Sequence, residues 1–129
     1  FEQWARIRLG VRLPIEMPPE AWYARLNAIV SDAEVRRVGY AIPAWEGEKN
    51  HRLTRLFLNA IRSQGGAPSF VYKTGTCDVN IVAPAWQCPA LVYGPGDSAL
   101  DHTPNEHISL DEYRRAVNVL SFVLKELTR

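Results

Sequence analysis

The sequence predicts an α/β protein, and three observations carry that prediction. Three segments place apolar residues at the three–four spacing of a helix face. Shorter apolar runs rich in β-branched and aromatic residues lie between them and read as strands. Gly, Pro, Asn and Asp punctuate each change of pattern.

Residues 4–13 alternate. Ala5, Ile7, Leu9, Val11 and Leu13 face one way, while Trp4, Arg6, Arg8, Gly10 and Arg12 face the other, which predicts a half-buried strand. Pro14, Pro18 and Pro19 break the run, and Pro19 suits the first turn of a helix. That helix takes its apolar face from Trp22, Leu26, Ile29 and Val30 and ends near Ser31 and Asp32. Val38, Tyr40 and Ile42 alternate again as a second strand. The polar residues 43–50 form a candidate boundary, which divides the chain into residues 1–46 and 47–129. Asn50 is placed to cap the next helix, whose face is Leu53, Leu56, Phe57, Ala60 and Ile61 and whose stop is Gly65 and Gly66. Residues 70–72, 81–83 and 90–93 are short apolar runs expected as strands. Ser109 with Glu112 forms a capping box that opens the last helix. Its face is Tyr113, Ala116, Val117, Leu120, Val123, Leu124 and Leu127.

Composition narrows the function classes. The 129 residues suffice for one ordinary domain with a modest core. A net charge of +1 argues against a nucleic-acid binder, which needs a basic excess. No apolar run approaches the ~20 residues that span a bilayer. Two cysteines, Cys77 and Cys88, are too few for a disulfide scaffold and read as free thiols of a reducing cytoplasm. The chain begins with Phe1 rather than methionine and shows no signal or transit peptide. The expectation is therefore that it is the C-terminal part of something longer.

Candidate chemistry concentrates in residues 94–107, between an expected strand and the last helix. This loop is crowded with Gly, Pro, Asp, His, Asn and Glu. His102 lies in its middle, stiffened by Pro104. It reads either as a metal ligand or as a loop residue that satisfies backbone groups. His102 and His107 are five residues apart across a proline, so they do not form a zinc-binding helix pair. Asp97, Asp101 and Glu106 are nearby carboxylates, but no other cluster supplies the three protein ligands of a catalytic zinc site. His51, at a helix start, reads as solvated. Ser98 lacks a recognisable His–Asp pair, and Gly94, Pro95 and Gly96 lack the Lys-Ser/Thr ending of a phosphate loop. Arg12 on an exposed strand face has the geometry to clamp a carboxylate, with a solvated arginine as the alternative.

Three motifs in order add a resemblance: Lys73, Thr74, Gly75, Thr76, Cys77 and Asp78 with Asn80; then Tyr93, Gly94, Pro95 and Gly96; then His102, Asn105 and Glu106. Together they resemble the C-terminal part of the metal-dependent amidohydrolases that include acetylornithine deacetylase, succinyl-diaminopimelate desuccinylase, aminoacylase and glutamate carboxypeptidase. The likeness is greatest to the deacylases that release lysine or ornithine in amino-acid biosynthesis. It implies that residues 1–46 are the second half of a small sheet-plus-helix lid that mediates dimerisation. Residues 47–129 would be the C-terminal part of an α/β catalytic domain.

By the same resemblance His102 matches a metal ligand, one of those holding two divalent ions, zinc or cobalt. Glu106 would orient the loop or the ligand. Arg12 matches a lid arginine that holds the substrate carboxylate. Lys73, Thr76 and Asp78 line the site, and Gly94 and Gly96 form its backbone wall. Cys77 stands where the family more often has serine. The family's His-x-Asp motif, its Glu-Glu pair and its other metal carboxylates are not in this sequence. The piece is thus expected to hold no catalytic residue and to be inactive alone. The intact parent would be a cytoplasmic homodimer acting on an N-acyl amino acid or on an acidic amino-group carrier protein. Two other readings stand beside this one: a dipeptidase or carboxypeptidase of the same family, and a free-standing ligand-binding or dimerisation module.

Overall fold

The computed structural model describes residues 3–129. Among them four helices form: α1 (Pro19–Ile29), α2 (Arg52–Ser63), α3 (Val79–Trp86) and α4 (Leu110–Leu127). The described residues contain no strand. The expected α/β class is therefore corrected, and with it the sheet-plus-helix lid and the α/β form of the catalytic part.

The physical reason is the same at most of the expected strands. A strand leaves its backbone N–H and C=O groups to be satisfied by a neighbouring strand. Residues 4–13 carry the alternation but no ladder, and Ile7 and Leu9 on the apolar side remain 80% and 66% exposed. Val38 and Tyr40 are likewise exposed, as are Phe70, Val71 and Tyr72. Residues 81–83 fail differently, because they lie inside α3. A short apolar run fits a helix or a strand, and local contacts decide. Here the Asp78 carbonyl accepts from the N–H groups of Ile81 and Val82 at 3.0 and 2.9 Å, which closes the first helical turn.

The chain divides into two units: residues up to Glu46 with Lys73–Val82, and Gly47–Tyr72 with Ala83–Arg129. In the first unit α1 starts at Pro18 and Pro19, whose fixed φ suits a helix entry and whose missing N–H costs nothing there. Glu20 in its first turn accepts both guanidinium nitrogens of Arg37, at 2.9 and 2.7 Å. The same guanidinium lies 4.1 Å from the centroid of the Tyr23 ring. Arg37 thus ties the segment after α1 back to its start.

In the second unit α2 packs on α4. The core is Phe57 and Ala60 from α2 with Val119 and Val123 from α4, and Leu53, Leu56, Ile61, Leu91 and Tyr93 pack against it. Arg52 at the start of α2 donates to the Glu126 carbonyl near the end of α4 at 2.6 Å, so the two helices run antiparallel. The expected stop of α2 forms: the Gly66 N–H reaches the Ile61 carbonyl and the Gly65 N–H the Arg62 carbonyl. Gly65 adopts φ +77°, a left-handed turn that favours glycine.

The start of α2 differs from expectation. His51, not Asn50, is the N-cap, and its Nδ1 accepts the Leu53 N–H at 3.2 Å. Asn50 instead accepts from Arg55. Ser109 caps α4 without a side-chain bond, so the capping box is not closed. The buried stripe of α4 is Ala116, Val119 and Val123, while Tyr113, Val117, Leu120 and Leu124 stay exposed.

Candidate functional site

The loop before α4 is built from successive turns. The Leu100 N–H donates to the Asp97 carbonyl, the Thr103 N–H to the Leu100 carbonyl, and the Glu106 N–H to the Thr103 carbonyl, at 3.0 to 3.1 Å. Side chains close what the backbone leaves open. Asp97 Oδ1 accepts the Ala99 N–H at 2.9 Å, and the Thr103 hydroxyl donates to the Leu100 carbonyl at 2.8 Å. Glu106 Oε2 accepts the backbone N–H of His102 at 2.9 Å. These are the local side-chain bonds that Asp, Thr and Glu offer in place of helix or sheet ladders.

Two residues of this loop take left-handed backbone. Gly96, at φ +100°, does so freely. His102, at φ +63°, does so against the steric preference of any residue with a Cβ. Residues 101–110 are all exposed, so the His102 imidazole is accessible. His107 Nδ1 lies 2.6 Å from the Asn105 carbonyl. That contact requires the proton on Nδ1.

Gly94 and Gly96 line a groove of about 370 Å³ together with Ile61, Gly66, Tyr93 and Arg115. The Tyr93 ring packs on Phe57 with centroids 5.1 Å apart. Burial pushes its hydroxyl above the ordinary tyrosine range, with Arg115 pulling weakly the other way. The hydroxyl therefore stays protonated at neutral pH and remains a donor. Arg115 on this groove was not singled out by the sequence, and Glu112 was read only as half of a capping box, because a charged residue on an amphipathic helix ordinarily faces solvent.

The first unit holds the other candidates. Arg12 Nη1 donates to the Thr74 hydroxyl at 2.7 Å, which brings Arg12 to the loop carrying Lys73, Thr76 and Asp78. All four side chains are exposed. Asn80 fixes this loop: its Oδ1 accepts the Cys77 N–H at 3.0 Å, and its Nδ2 donates to the Pro43 carbonyl at 3.1 Å. Thr74, the actual partner of Arg12, lies within the motif of residues 73–78 but was assigned no role there.

Comparison with known proteins decides the family. The sequence pattern of peptidase family M20/M25/M40 matches residues 4–126.

The chain belongs to this peptidase family.

The resemblance read from the motifs of residues 73–108 is thus borne out at the level of the family. A protein of Deinococcus radiodurans named LysW-lysine hydrolase is 48% identical over 126 residues, which cover 96% of this chain and 34% of that protein. A Thermococcus kodakarensis protein named as a LysW-lysine/LysW-ornithine hydrolase is 48% identical over 86 residues, 67% of this chain and 25% of its own length. A Sulfurisphaera tokodaii LysW-lysine/LysW-ornithine hydrolase is 36% identical over 121 residues, 94% of this chain and 34% of its own. The chain spans about a third of the length of the first of these relatives.

Members of the M20 family are generally metal-dependent. Among the described residues no three His, Cys, Asp or Glu side chains come together as a metal-binding group. An accessible imidazole such as His102 has the chemistry of one ligand position in a metal centre. No helix among the described residues is long and apolar enough to cross a membrane.

Proposed function

We propose that this chain is part of a metal-dependent hydrolase that releases lysine or ornithine from an N-acyl conjugate, with an acidic amino-group carrier protein as the acyl partner. One observation carries the reading: 48% identity, across 96% of the chain, to a protein named LysW-lysine hydrolase. The family match to residues 4–126 supports hydrolysis of an amide bond.

In this reading residues 47–129 belong to the catalytic part, and residues 1–46 serve dimerisation in the cytoplasmic enzyme. His102 provides one ligand to a pair of divalent ions, zinc or cobalt. Such ions, when bound, lower the pKa of a water and polarise a carbonyl. The remaining roles belong to the chain itself. Arg12 holds the carboxylate of the released amino acid through paired N–H donors. Lys73, Thr76 and Asp78 line the substrate path on the loop that Arg12 reaches through Thr74. Gly94 and Gly96 let the substrate approach the backbone closely, as residues without a Cβ allow. Glu106 steadies the His102 loop. With one metal ligand in this donor set, the 129-residue chain is expected to hydrolyse no conjugate by itself.

The test is lysine and ornithine release from carrier-protein conjugates, from N-acetyl-lysine and from dipeptides, using the full-length gene product and added Zn²⁺ or Co²⁺. Release from the carrier conjugate is the expected result. His102→Ala should lower bound metal and reduce turnover roughly 100-fold or more, since even residues behind a ligand cost about 10–100-fold. Unchanged metal content would remove His102 from the ligand set, and release from dipeptides alone would replace the deacylase reading by a dipeptidase.

A further inference from the structure

His102 is one of two non-glycine residues with positive φ among those described, the other being Gln87 at the end of α3. Left-handed backbone at such a residue is strained and persists only where its surroundings fix it. The turn bonds on either side are donated by the Asp101 and Thr103 N–H groups and leave the His102 N–H to a side chain. That side chain is Glu106, whose Oε2 sits 2.9 Å from the His102 nitrogen. A charge-assisted bond from a carboxylate to a backbone N–H stabilises by an amount of the same order as the strain.

We infer that Glu106 is a positioning residue that acts on the backbone amide of His102, holding it left-handed so that the imidazole is presented in one direction. The inference rests on the proposed role of His102 as a metal ligand and adds how that ligand is held. Partners behind a ligating histidine ordinarily bond to its ring. Here the bond is to the main chain, four residues back. The ring therefore keeps both nitrogens for other work, while its direction is set through φ. The span from His102 to Glu106 includes Pro104, whose fixed φ limits the conformations that the closing carboxylate must select against.

The experiment uses the 129-residue chain labelled for NMR, as the unsubstituted protein, Glu106→Ala, Glu106→Gln, His102→Asn and the double variant His102→Asn/Glu106→Ala. Asparagine tolerates left-handed backbone while removing the imidazole. Glu106→Ala should speed exchange of the residue-102 amide by roughly tenfold and move its Cα shift away from the left-handed range, and Glu106→Gln should restore most of both. The same roughly tenfold change should appear between His102→Asn and the double variant. An unchanged residue-102 amide in Glu106→Ala, or a change that vanishes when the ring is absent, would overturn the proposal. Co²⁺ alone, added to the same samples, reads ring presentation. Broadening of the His102 ring signals should need several-fold more Co²⁺ in Glu106→Ala than in the unsubstituted chain or Glu106→Gln. Equal Co²⁺ in all three would overturn the positioning role. Absence of ring broadening even in the unsubstituted chain would instead overturn the ligand reading and leave the backbone result to be judged by its own arm.

Discussion

The α2–α4 pair and residues 4–13 carry equally regular apolar patterns, yet they end in opposite states. Phe57, Ala60, Val119 and Val123 are buried against one another. Ile7 and Leu9 stand mostly in solvent. The difference lies in where the backbone bonds go. A helix satisfies its N–H and C=O groups internally, so one amphipathic helix needs only an apolar face from another. A strand needs a neighbour for its backbone before its side chains can pack. Within this chain α2 finds α4, whereas residues 4–13 find no ladder.

The strongest way to break this contrast is to remove the ring at the centre of the packed pair. Phe57 touches both the helix core and Tyr93. Phe57→Ala should destabilise the second unit by about 3–5 kcal/mol, read as a lowered urea midpoint. A loss below about 1 kcal/mol would mean that the α2–α4 core does not limit stability. The matching substitution on the other side is Ile7→Ser, at a residue 80% exposed. It should change stability by no more than about 0.5 kcal/mol. A loss comparable to that of Phe57→Ala would show that residues 4–13 are covered in solution and would erase the contrast.

The same contrast explains what could be read in advance. The three amphipathic helices were legible because spacing, prolines and glycines act locally: Pro19 at the start of α1, and Gly65 and Gly66 closing α2. The expected strands were not, because a ladder depends on residues remote in sequence, and alternation names a face without naming its cover. Residues 81–83 show the limit of short runs, where one closed turn made a helix of an expected strand. The cap at His51 was missed because histidine is an unusual N-cap and Asn50 beside it is a common one. On α4 the expected face included Ala116 and Val123 but not Val119, the third buried residue, since the helix is apolar over more of its circumference than one partner covers. Around the candidate site, the turn-rich character of residues 94–107 was legible from composition. The left-handed backbone of His102 and the Arg12–Thr74 bond were not, since neither has a compositional signature.

A smaller effect sharpens the comparison within the first unit, where a charged clamp ties α1 to the segment after it. Arg37 holds the Glu20 carboxyl below the ordinary glutamate range, chiefly through their paired hydrogen bonds. A carboxylate whose pKa is lower in the folded state stabilises that state above its unfolded pKa, and the contribution fades as pH falls through the folded value. The clamp should therefore open in acid and persist at neutral pH. Both side chains are more than half exposed, so water and salt screen the pair and its weight in overall stability is small. The direct readout is the Glu20 side-chain carboxyl resonance during a pH titration. Its midpoint should lie below that of an unpaired glutamate and should rise in Arg37→Gln. Raising the salt to about 1 M, where the screening length is about 3 Å, should move it part of the same way. A midpoint unmoved by Arg37→Gln would mean that the segment after α1 is not held to its first turn in solution. The first unit would then lack the clamp that ties α1 to the Arg37 segment.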